Sequence, residues 1–584
     1  MKKLLIYLRD YKKETILGPL FKLLEVVFEL LVPLVIAKII DVGIANTDRS
    51  YIIRMCLLLV GLGAVGLTSS ITAQYYAAKA SAGFAKQLKH ALFAHIQSLS
   101  FSELDTLGTA TMITRMTSDM NQVQSGVNMT IRLLLRSPIV VFGAMIMAFT
   151  VDTRAALVFA VTIPVLFAVI LALLIVCIPL YKRVQSALDR VLSSTRENLA
   201  GVRVIRAFCK ENDEIEAFSL RHGALTRLQL HAGNLSALLN PLTYVIINLA
   251  ILFLIQTGAI EVNGGRITQG AVVALYNYMS QILVELIKFA NLIITLTKSV
   301  ACGNRIQDVF EIRPTLLSPA ETQTPGDSPL AVEFRQVGLR YRNSASDSLT
   351  GLTFAIRRGE TIGIIGGTGS GKSSLVQLIP RFYDATEGEV LVDGLNVRNY
   401  GLTDLRDRIG MVPQQAVLFQ GTLRENMQWG NLAATDEEIW EALTVAQAKA
   451  VAEGKGGLDF LIEQGGRNLS GGQMQRFTIA RALVRQPELL ILDDSASALD
   501  FATDAALRQA IRAMPRHPTV FIISQRTSAI RYADQILVMD EGRIVAIGTH
   551  DKLLQFCQVY REIYDSQNRK ESVADEQTKQ AAKI

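Results

Sequence analysis

The pattern of hydrophobic and polar positions divides the chain into two halves of different character. Residues 1–300 carry long apolar runs, whereas residues 330–565 have the composition of an ordinary soluble domain. A helix needs about 20 apolar residues to cross a bilayer core. Six segments are predicted to do so, at residues 16–40, 54–76, 133–151, 155–179, 237–258 and 271–297. The pattern therefore predicts an all-α six-helix transmembrane bundle over residues 1–311, with a soluble domain after it.

Two connections between the predicted spans are long, and both are predicted to be helical. The first carries apolar residues at helical spacing, for example Phe84, Leu88 and Leu92. Charged residues also occur inside the outermost predicted spans, where they normally face the interior of a bundle or a cavity. Glu25 and Glu29 are one helical turn apart in the first span, and Glu285 and Lys288 lie in the last.

Basic residues orient this bundle. They concentrate in the N-terminal arm and in the two long connections, at Lys2, Lys3, Arg9, Lys12, Lys13, Lys79, Lys86, Lys89, Arg115, Lys182, Arg183, Arg190, Arg203 and Arg206. The short loops hold only Arg49, Arg154 and Arg266. Loops rich in Lys and Arg stay in the cytoplasm. The sequence predicts a multi-pass protein of the cell membrane with both termini, and hence the soluble domain, in the cytoplasm.

Composition excludes some classes of protein. The net charge of +6 is modest and no long Lys/Arg block is present, which argues against nucleic acid as a partner. The five cysteines are scattered without a CxxC pair, so neither a disulfide scaffold nor a zinc site is expected. Residues 312–330 contain four prolines and are predicted to be a linker. A domain over residues 331–565 and a polar C-terminal tail over residues 566–584 are predicted to follow.

A phosphate-binding loop is the first chemical motif of the soluble half. The segment TIGIIGGTGSGKSS predicts a strand, a glycine-rich turn and a helix. Its loop and first helical residues are Gly366, Gly367, Thr368, Gly369, Ser370, Gly371, Lys372, Ser373 and Ser374. Backbone N–H groups of such a loop surround a β-phosphate, Lys372 adds positive charge, and the Ser373 hydroxyl reaches Mg²⁺. The motif predicts ATP and Mg²⁺ as cofactors in an α/β P-loop domain.

A buried strand and a serine-glycine turn complete the nucleotide motifs. ELLILDD is typical of a parallel strand covered on both faces, and Asp493 at its end is predicted to hold Mg²⁺ through water. Between the two phosphate motifs lies LSGGQ, with Ser470, Gly471, Gly472 and Gln473 opening a helix. A helix N-terminus of this kind binds anions. By itself the motif is better explained as a helix cap, but with a phosphate motif on each side it is the most specific signal in the chain.

Together these residues resemble the ATPase domain of the ATP-binding-cassette (ABC) family, and the preceding spans resemble ABC exporter half-transporters. The stretches GTATMITRMTSDM and RENLAGVRVIRAFCKE are similar to the two cytoplasmic connections of exporters. The resemblance implies that Tyr341 stacks on adenine, although a core aromatic is the alternative. It also implies that Gln414 contacts Mg²⁺ and the attacking water, and that Asp500 belongs to a loop crossing between two ATP sites.

Two positions depart from the family pattern. A glutamate that polarises the attacking water normally follows the aspartate corresponding to Asp493, but here Asp494 follows it. A histidine is expected at the position of Gln525. The chain is therefore predicted to resemble the degenerate-site subunit of heterodimeric bacterial multidrug exporters. Hydrolysis is expected mainly at the partner's site, which this chain's LSGGQ turn would complete.

The predicted function is ATP-driven export by alternating access. The expected partners are a second half-transporter, membrane lipid and a small-molecule substrate, with drug-like amphiphiles or lipids favoured. An ATP-gated regulator or channel without pumping is the alternative. The six spans argue against a soluble ABC ATPase, and the fusion of the two domains argues against an importer. No peptidase domain is found at the N-terminus, which makes a leader-cleaving peptide exporter less expected.

Overall fold

The computed structural model describes residues 2–567 apart from residues 320, 343 and 496, and omits the side chains of residues 2 and 174. Contacts group the chain into two compact units. The first contains the residues up to Gln97 together with Ala110–Ile312. The second contains Ser98–Thr109 together with the chain from Arg313 onward.

Helices account for the whole of the first unit's regular structure among the described residues, and α3, which belongs to the second unit, lies between two of them in the chain. In chain order the helices from the N-terminus are α1 (Lys12–Lys38), α2 (Arg49–Ser98), α3 (Phe101–Leu107), α4 (Thr109–Thr114), α5 (Met120–Leu133), α6 (Arg136–Val151), α7 (Thr153–Ala200), α8 (Val202–Ala207), α9 (Glu211–Ala237), α10 (Leu239–Asn263) and α11 (Gln269–Glu311). A 3₁₀ segment, Lys2–Tyr11, precedes them, and π-helical turns lie at Ile39–Ile44 and Arg115–Asp119. The predicted helical character of both long connections is confirmed.

The membrane character of this unit is confirmed for five helical segments that are long and apolar enough to cross a bilayer. They are Arg49–Ser98, Thr109–Val151, Thr153–Ala200, Glu211–Asn263 and Gln269–Glu311. The predicted first span, residues 16–40, coincides largely with α1, but α1 is not among the five segments found within the described residues. Lys22, Glu25 and Glu29 lower its apolar character. The sixth crossing therefore stays a prediction.

Small and branched apolar side chains form the core of the helical unit. Ala144, Ala148 and Ala274 have no exposed surface, and Phe159 and Tyr278 fill the space between helices. The hydroxyl of buried Tyr278 donates to the backbone oxygen of Leu30 at 2.7 Å. This bond satisfies a polar group that would otherwise be costly to bury.

The second unit is an α/β domain with three sheets, as predicted for a P-loop ATPase fold. Its strands are β1 (Leu330–Leu339), β2 (Leu349–Arg357), β3 (Thr361–Gly366), β4 (Glu387–Val392), β5 (Leu395–Asn396), β6 (Ile409–Val412), β7 (Gly421–Thr422), β8 (Leu461–Ile462), β9 (Leu489–Asp493), β10 (Thr519–Ile523), β11 (Gln535–Asp540) and β12 (Arg543–Gly548). The sheet orders are β2-β1-β4-β5, β12-β11-β3-β10-β9-β6 and β7-β8.

Helices pack around these sheets. They are α12 (Lys372–Leu378), α13 (Leu402–Asp407), α14 (Leu423–Gln428), α15 (Asp436–Val445), α16 (Lys449–Gly454), α17 (Gly471–Val484), α18 (Phe501–Arg512), α19 (Thr527–Ile530) and α20 (His550–Phe556), with 3₁₀ turns at Val397–Asn399, Gly457–Asp459 and Gln464–Gly466. Every residue of β9 and β10 is buried, as the continuous apolar run of ELLILDD predicted for β9.

The short helix α3 belongs to the second unit by its contacts. Residues 98–109 group with that unit, although they lie inside the predicted membrane domain 1–311, whose bounds stay a prediction. The ring of Phe101 lies 4.6 Å from that of Phe382, and Tyr383 donates to the Asp105 carboxylate at 2.6 Å. Thr315 donates to the buried Glu103 carboxylate at 2.9 Å. This aromatic contact and these hydrogen bonds hold the segment. The periodicity of hydrophobic residues in the sequence does not predict contacts of either kind.

The C-terminal end of the described chain is helical over residues 558–567. The predicted polar tail, residues 566–584, therefore begins inside a helix. Its remaining part, residues 568–584, lies outside the described residues.

The orientation of the membrane helices leads to a first prediction. We expect single cysteines introduced at Asn46 or Gly264 to react with an impermeant maleimide added outside intact cells, because both positions fall in short loops poor in Lys and Arg. A cysteine at Lys89 should react only after the membrane is opened. The exposed native Cys56 and Cys209 must be replaced first. Labelling at Lys89 from outside would contradict the orientation.

Candidate nucleotide-binding site

The large sheet brings the phosphate motifs to one edge. Strand β3 pairs in parallel with β10 and β11, and β9 pairs in parallel with β10 and β6. Parallel neighbours place their carboxyl ends at the same edge of a sheet, where α/β folds bind ligands. The phosphate loop follows β3, Asp493 ends β9, and Gln525 and Gln414 follow β10 and β6 by two residues. The topology thus gathers four motifs that are far apart in sequence.

The glycine-rich loop has the backbone that a phosphate cradle requires. Gly369 and Gly371 have φ of 84° and 93°, values that favour glycine. At Gly366 a Cβ atom would lie 2.1 Å from the backbone oxygen of Met539, so no larger residue fits there. Nothing lies within 4 Å of a Cβ built at Gly367 or Gly369, which leaves that side of the loop open to a ligand.

Lys372 folds back over this loop. Its ammonium donates to the backbone oxygens of Gly366 and Gly367 at 2.9 and 2.6 Å, and to the Ser370 hydroxyl at 3.2 Å. Burial lowers the pKa of Lys372, and the nearby carboxylates of Asp494 and Asp493 act in the opposite direction. A phosphate placed against the loop would supply a stronger, charge-assisted partner for this buried cation.

Ser373 and Asp493 offer the oxygens that Mg²⁺ prefers. The Ser373 hydroxyl donates to the Asp493 carboxylate at 3.0 Å, across the gap between α12 and β9. Burial raises the pKa of Asp493, while the Ser373 bond and Lys372 lower it. No group of three His, Cys, Asp or Glu side chains suited to a metal occurs in the described part of the chain. This donor set fits Mg²⁺ held largely by phosphates and water, the usual arrangement for that ion.

Asp494 directly follows Asp493 in the chain, and its backbone conformation is unusual for a residue other than glycine. Its φ is 46°, in the left-handed region that favours glycine. Burial raises the pKa of Asp494, while the cations Lys372 and Arg526 lower it. Gln414 and Gln525 are both exposed on the same edge of the sheet. The positions predicted to act on water thus meet at one edge, although their catalytic roles stay predictions.

Tyr341 lies beside the first turn of α12. Its hydroxyl donates to the Ser374 hydroxyl at 2.9 Å, and its ring meets that of Tyr383 edge-on at 5.1 Å. The ring is partly buried against the hydrophobic core between the four-stranded and six-stranded sheets. This position next to the phosphate loop suits stacking on adenine. The partial burial of the ring equally suits the alternative, an aromatic residue of the core. The assignment to adenine stays a prediction.

The LSGGQ turn forms a capped helix start at the surface. Ser470 accepts from the backbone N–H of Gln473 at 3.3 Å, and the Gln473 side chain accepts from the N–H of Ser470 at 3.1 Å. This reciprocal capping box satisfies two of the N–H groups at the start of α17. Gly471 remains exposed. A Cβ at Gly472 would lie 2.9 Å from the backbone oxygen of Ala498, so this turn packs against the loop after β9.

Asp500 ends that same loop by capping α18. Its carboxylate accepts from the backbone N–H and the hydroxyl of Thr503 at 2.8 and 2.9 Å. These bonds lower the pKa of Asp500. The loop of Asp500 and the LSGGQ turn are therefore adjacent, which the sequence distance between them did not predict.

Gln567 is a site residue that sequence reasoning missed. Its side-chain oxygen accepts from the backbone N–H and the hydroxyl of Thr527, both at 2.9 Å. Its side-chain nitrogen donates to the backbone oxygen of Gln525 at 2.7 Å. One amide thus fixes the segment that carries Gln525. Nothing in the local sequence signals this role, because the polar stretch around Gln567 has the composition of a frayed end.

Comparison with known proteins agrees with this geometry. The family model described as the ABC transporter transmembrane region matches residues 15–286, and the model described as ABC transporter matches residues 349–497. An uncharacterised ABC transporter ATP-binding protein of Mycobacterium tuberculosis is 35% identical over 567 residues, covering 96% of this chain and 97% of the relative.

Two further matches extend over both units. A putative multidrug export ATP-binding/permease protein of Bacillus subtilis is 30% identical over 580 residues, covering 97% of this chain and 99% of the relative. The structure of a bacterial Atm1-family ABC exporter with ATP bound superposes with a TM-score of 0.79. It covers 95% of this chain and 98% of its own, at 23% identity, and so shows the shared fold.

Lys372 provides a test of nucleotide binding. We expect Lys372→Ala to weaken ATP binding on the order of tenfold to a hundredfold, since a hydrogen bond to a charged group contributes about 1.5–3 kcal/mol. Tyr341→Ala should weaken binding by a comparable or smaller factor, because stacking on one base contributes about 1–3 kcal/mol. Tyr341→Phe is the matched control, as it keeps the ring and loses only the bond to Ser374. Binding of a fluorescent ATP analogue measures all three. Unchanged affinity in Lys372→Ala would contradict the site.

The buried carboxylate of Asp493 predicts a pH-dependent stability. Because burial raises its pKa in the folded domain, the folded state binds a proton more readily than the unfolded chain, and stability falls as the pH rises through that pKa. Without Mg²⁺ and nucleotide, we expect Asp493→Asn to raise the melting temperature at pH 8 and to lose that advantage as the pH falls through the raised pKa of Asp493. The gain should be about 1.4 kcal/mol for each unit of raised pKa. Asp500→Asn, at an exposed cap, should change little.

The contacts of Gln567 predict a local effect. Gln567→Ala should increase the rate of amide hydrogen exchange at Thr527 by about fivefold to tenfold, because a net hydrogen bond contributes about 1 kcal/mol. Gln558→Ala is the control, since that side chain bonds only to Glu562 on its own helix within the described contacts. Equal exchange in the two variants would show that Gln567 does not hold the segment.

Proposed function

This chain belongs to the ABC transporter family, as an exporter-type half-transporter, and on that premise we propose that it is the degenerate-site subunit of a heterodimeric exporter of amphiphilic compounds. Its membrane domain is fused to an ATPase domain that binds ATP, and hydrolysis in this family is coupled to transport. The observation that carries the proposal is Asp494, which stands beside an otherwise complete phosphate site.

The shorter side chain at Asp494 impairs hydrolysis at this chain's own site. A group that orients a water molecule must approach it to about 2.6–3.2 Å. Aspartate is one methylene shorter than the glutamate of the family pattern, so its carboxylate is drawn back from that position. The left-handed backbone at this residue, with φ of 46°, restricts the rearrangements that could recover the distance.

Gln525 removes a second function from the same site. A glutamine amide can hydrogen-bond to a γ-phosphate, but it neither carries positive charge nor exchanges a proton as an imidazole does. The phosphate loop, Ser373 and Asp493 are nevertheless intact. The combination supports a site that binds Mg-ATP and turns it over slowly.

The LSGGQ turn supports an active site elsewhere. In ABC exporters each ATP lies between the phosphate loop of one chain and the LSGGQ turn of the other. Here Ser470 and Gln473 keep the helix start ordered, and Gly471 is exposed and so accessible to a second chain. A homodimer would combine two impaired sites, whereas a heterodimer would place this intact turn on a competent partner's phosphate loop.

The transport direction and substrate class follow from the family and from the membrane domain. ATP binding favours the closed pair of ATPase domains, and differential affinity for that state drives the conformational change. We propose export from the cytoplasm or the inner leaflet, with both termini cytoplasmic. The similar protein of Bacillus subtilis is named a putative multidrug export protein, which supports amphiphilic drug-like compounds as substrates. Lipids are proposed beside them because they are amphiphiles too.

The heterodimer leads to a direct prediction. We expect the purified chain alone to show at most about 5% of the ATPase rate of the pair with its partner, since loss of a catalytic base costs about 10²–10⁴-fold. In the pair, Asp494→Asn should change the rate less than twofold. Replacing the partner's catalytic glutamate should abolish it.

A gain-of-function variant gives the matched control. Asp494→Glu combined with Gln525→His restores the family pattern, and it should raise the ATPase rate of the chain alone, whereas either change by itself should do less. Reconstituted vesicles then test vectorial transport by the pair. Rapid hydrolysis by the unmodified chain alone, reduced by Asp494→Asn, would contradict the degenerate site.

A further inference from the structure

A cluster of ionised side chains lies inside the helical unit, where charge is expensive. It joins α1, α6 and α11 and consists of three cations and three carboxylates, Lys22, Glu25, Glu29, Arg136, Glu285 and Lys288. Opposite charges inside a membrane domain pair with one another and mark functional positions. The cluster has no net charge, so its function depends on which of its members remain free to bind.

One of the three carboxylates, Glu285, is fully engaged. It is almost completely buried, with 3% of its side chain exposed, and bonds to Arg136, to Lys288 at 2.7 Å and to Ser137 at 3.1 Å. Glu25 pairs with Lys22 at 2.5 Å and lies 3.9 Å from Arg136, and it does not line the cavity between α1 and α11.

Glu29 is different. Its Oε2 accepts from Arg136 at 2.8 Å, and within the described contacts its Oε1 has no partner. The side chain is 37% exposed. A carboxylate oxygen in a site of low polarity gains strongly from a charged donor. Glu29 is therefore the group of this cluster that can accept a cation from outside.

Lys288 supplies the opposite charge. Its ammonium bonds to Glu285 at 2.7 Å, which uses one of three donors, and its side chain is 43% exposed. Glu29 and Lys288 line the same cavity of about 300 Å³ between α1 and α11, together with Asn277, Ser280 and Gln281. The oxygen of the Gln281 amide is buried there without a hydrogen-bond partner in the described structure.

We propose that this cavity binds the headgroup of a zwitterionic amphiphile, with its ammonium at Glu29 and its anionic group at Lys288. Apolar side chains of Val32, Pro33, Ile36 and Val284 line the same space and suit the attached hydrocarbon. A volume of about 300 Å³ is at the lower end for ligand pockets, so it admits a headgroup rather than a whole drug-sized molecule.

Paired charges in the cavity favour this class over simpler ions. A purely cationic headgroup would satisfy Glu29 and face the like charge of Lys288, and a purely anionic one would satisfy Lys288 and face Glu29. Like charges at close range in a poorly hydrated site are unfavourable. Of the three headgroups, only the zwitterion offers an opposite charge to Glu29 and to Lys288. The inference rests on the proposed export function, for which it names the substrate class.

Binding to the full chain in nanodiscs of phosphatidylglycerol tests the proposal. Three probes with one hydrocarbon chain, dodecylphosphoethanolamine, dodecylamine and dodecyl phosphate, are compared by calorimetry. We expect the zwitterion to bind at least about tenfold more tightly than either ion. Glu29→Gln should remove its advantage over dodecyl phosphate, and Lys288→Gln its advantage over dodecylamine. Ser280→Phe, which fills the cavity, should weaken the zwitterion without changing charge.

Matched controls lie on the same helices outside the cavity. Glu14→Gln on α1 and Lys298→Gln on α11 should leave all three affinities unchanged. Equal affinity for the three probes, or insensitivity to both Glu29→Gln and Ser280→Phe, would overturn the proposal. ATP-driven transport by the pair is measured separately, so vectorial transport without zwitterion selectivity would leave the export function in place and remove this site.

The lipid composition distinguishes two sources of the same headgroup chemistry. In nanodiscs of phosphatidylethanolamine, a bilayer headgroup that occupies the cavity should reduce probe affinity by about tenfold or more, and Glu29→Gln should abolish this competition. Unreduced affinity would assign the site to free zwitterionic amphiphiles. Tighter binding of dodecylamine than of dodecylphosphoethanolamine would contradict both.

Discussion

The parallel pairing of β3 with β10 and β11 is the constraint on which the nucleotide site depends. Parallel strands expose their carboxyl ends at one edge, so the phosphate loop, Asp493 and the residues after β6 and β10 must meet there. Burial of both faces of β9 and β10 fixes the register that holds this edge. The chemistry of each residue is local, but its presence in the site is a property of the sheet.

Burial then sets the electrostatics of that edge. Lys372, Asp493 and Asp494 are all shielded from water. Burial lowers the pKa of Lys372 and raises the pKa of Asp493 and of Asp494, and the neighbouring opposite charges act against each shift. A poorly solvated cation beside backbone oxygens suits a phosphate, and a poorly solvated carboxylate beside a hydroxyl would suit Mg²⁺. The same logic operates in the helical unit, where Arg136 holds two carboxylates and leaves one oxygen of Glu29 available.

The LSGGQ turn matches the family pattern, whereas two positions near the phosphate loop depart from it. The LSGGQ turn is ordered by its own capping box and agrees with the family pattern, whereas Asp494 and Gln525 stand where that pattern has a glutamate and a histidine. Asp494 directly follows Asp493, and Gln525 lies two residues beyond β10 at the same edge of the sheet. Such a division is compatible with retained binding and weakened hydrolysis, because phosphate recognition and water activation use different side chains.

The sequence by itself determined the fold class, the helical connections, the phosphate loop and the LSGGQ turn, because each depends on a periodicity or motif within a short stretch of chain. Only the tertiary structure decided that residues 98–109 join the second unit, that Gln567 holds the segment of Gln525, and that Glu29 has a free oxygen beside Lys288. These depend on hydrogen bonds and ring contacts between residues distant in sequence. Local hydrophobic pattern carries no record of such contacts, since the same polar residues would suit a solvated surface equally well.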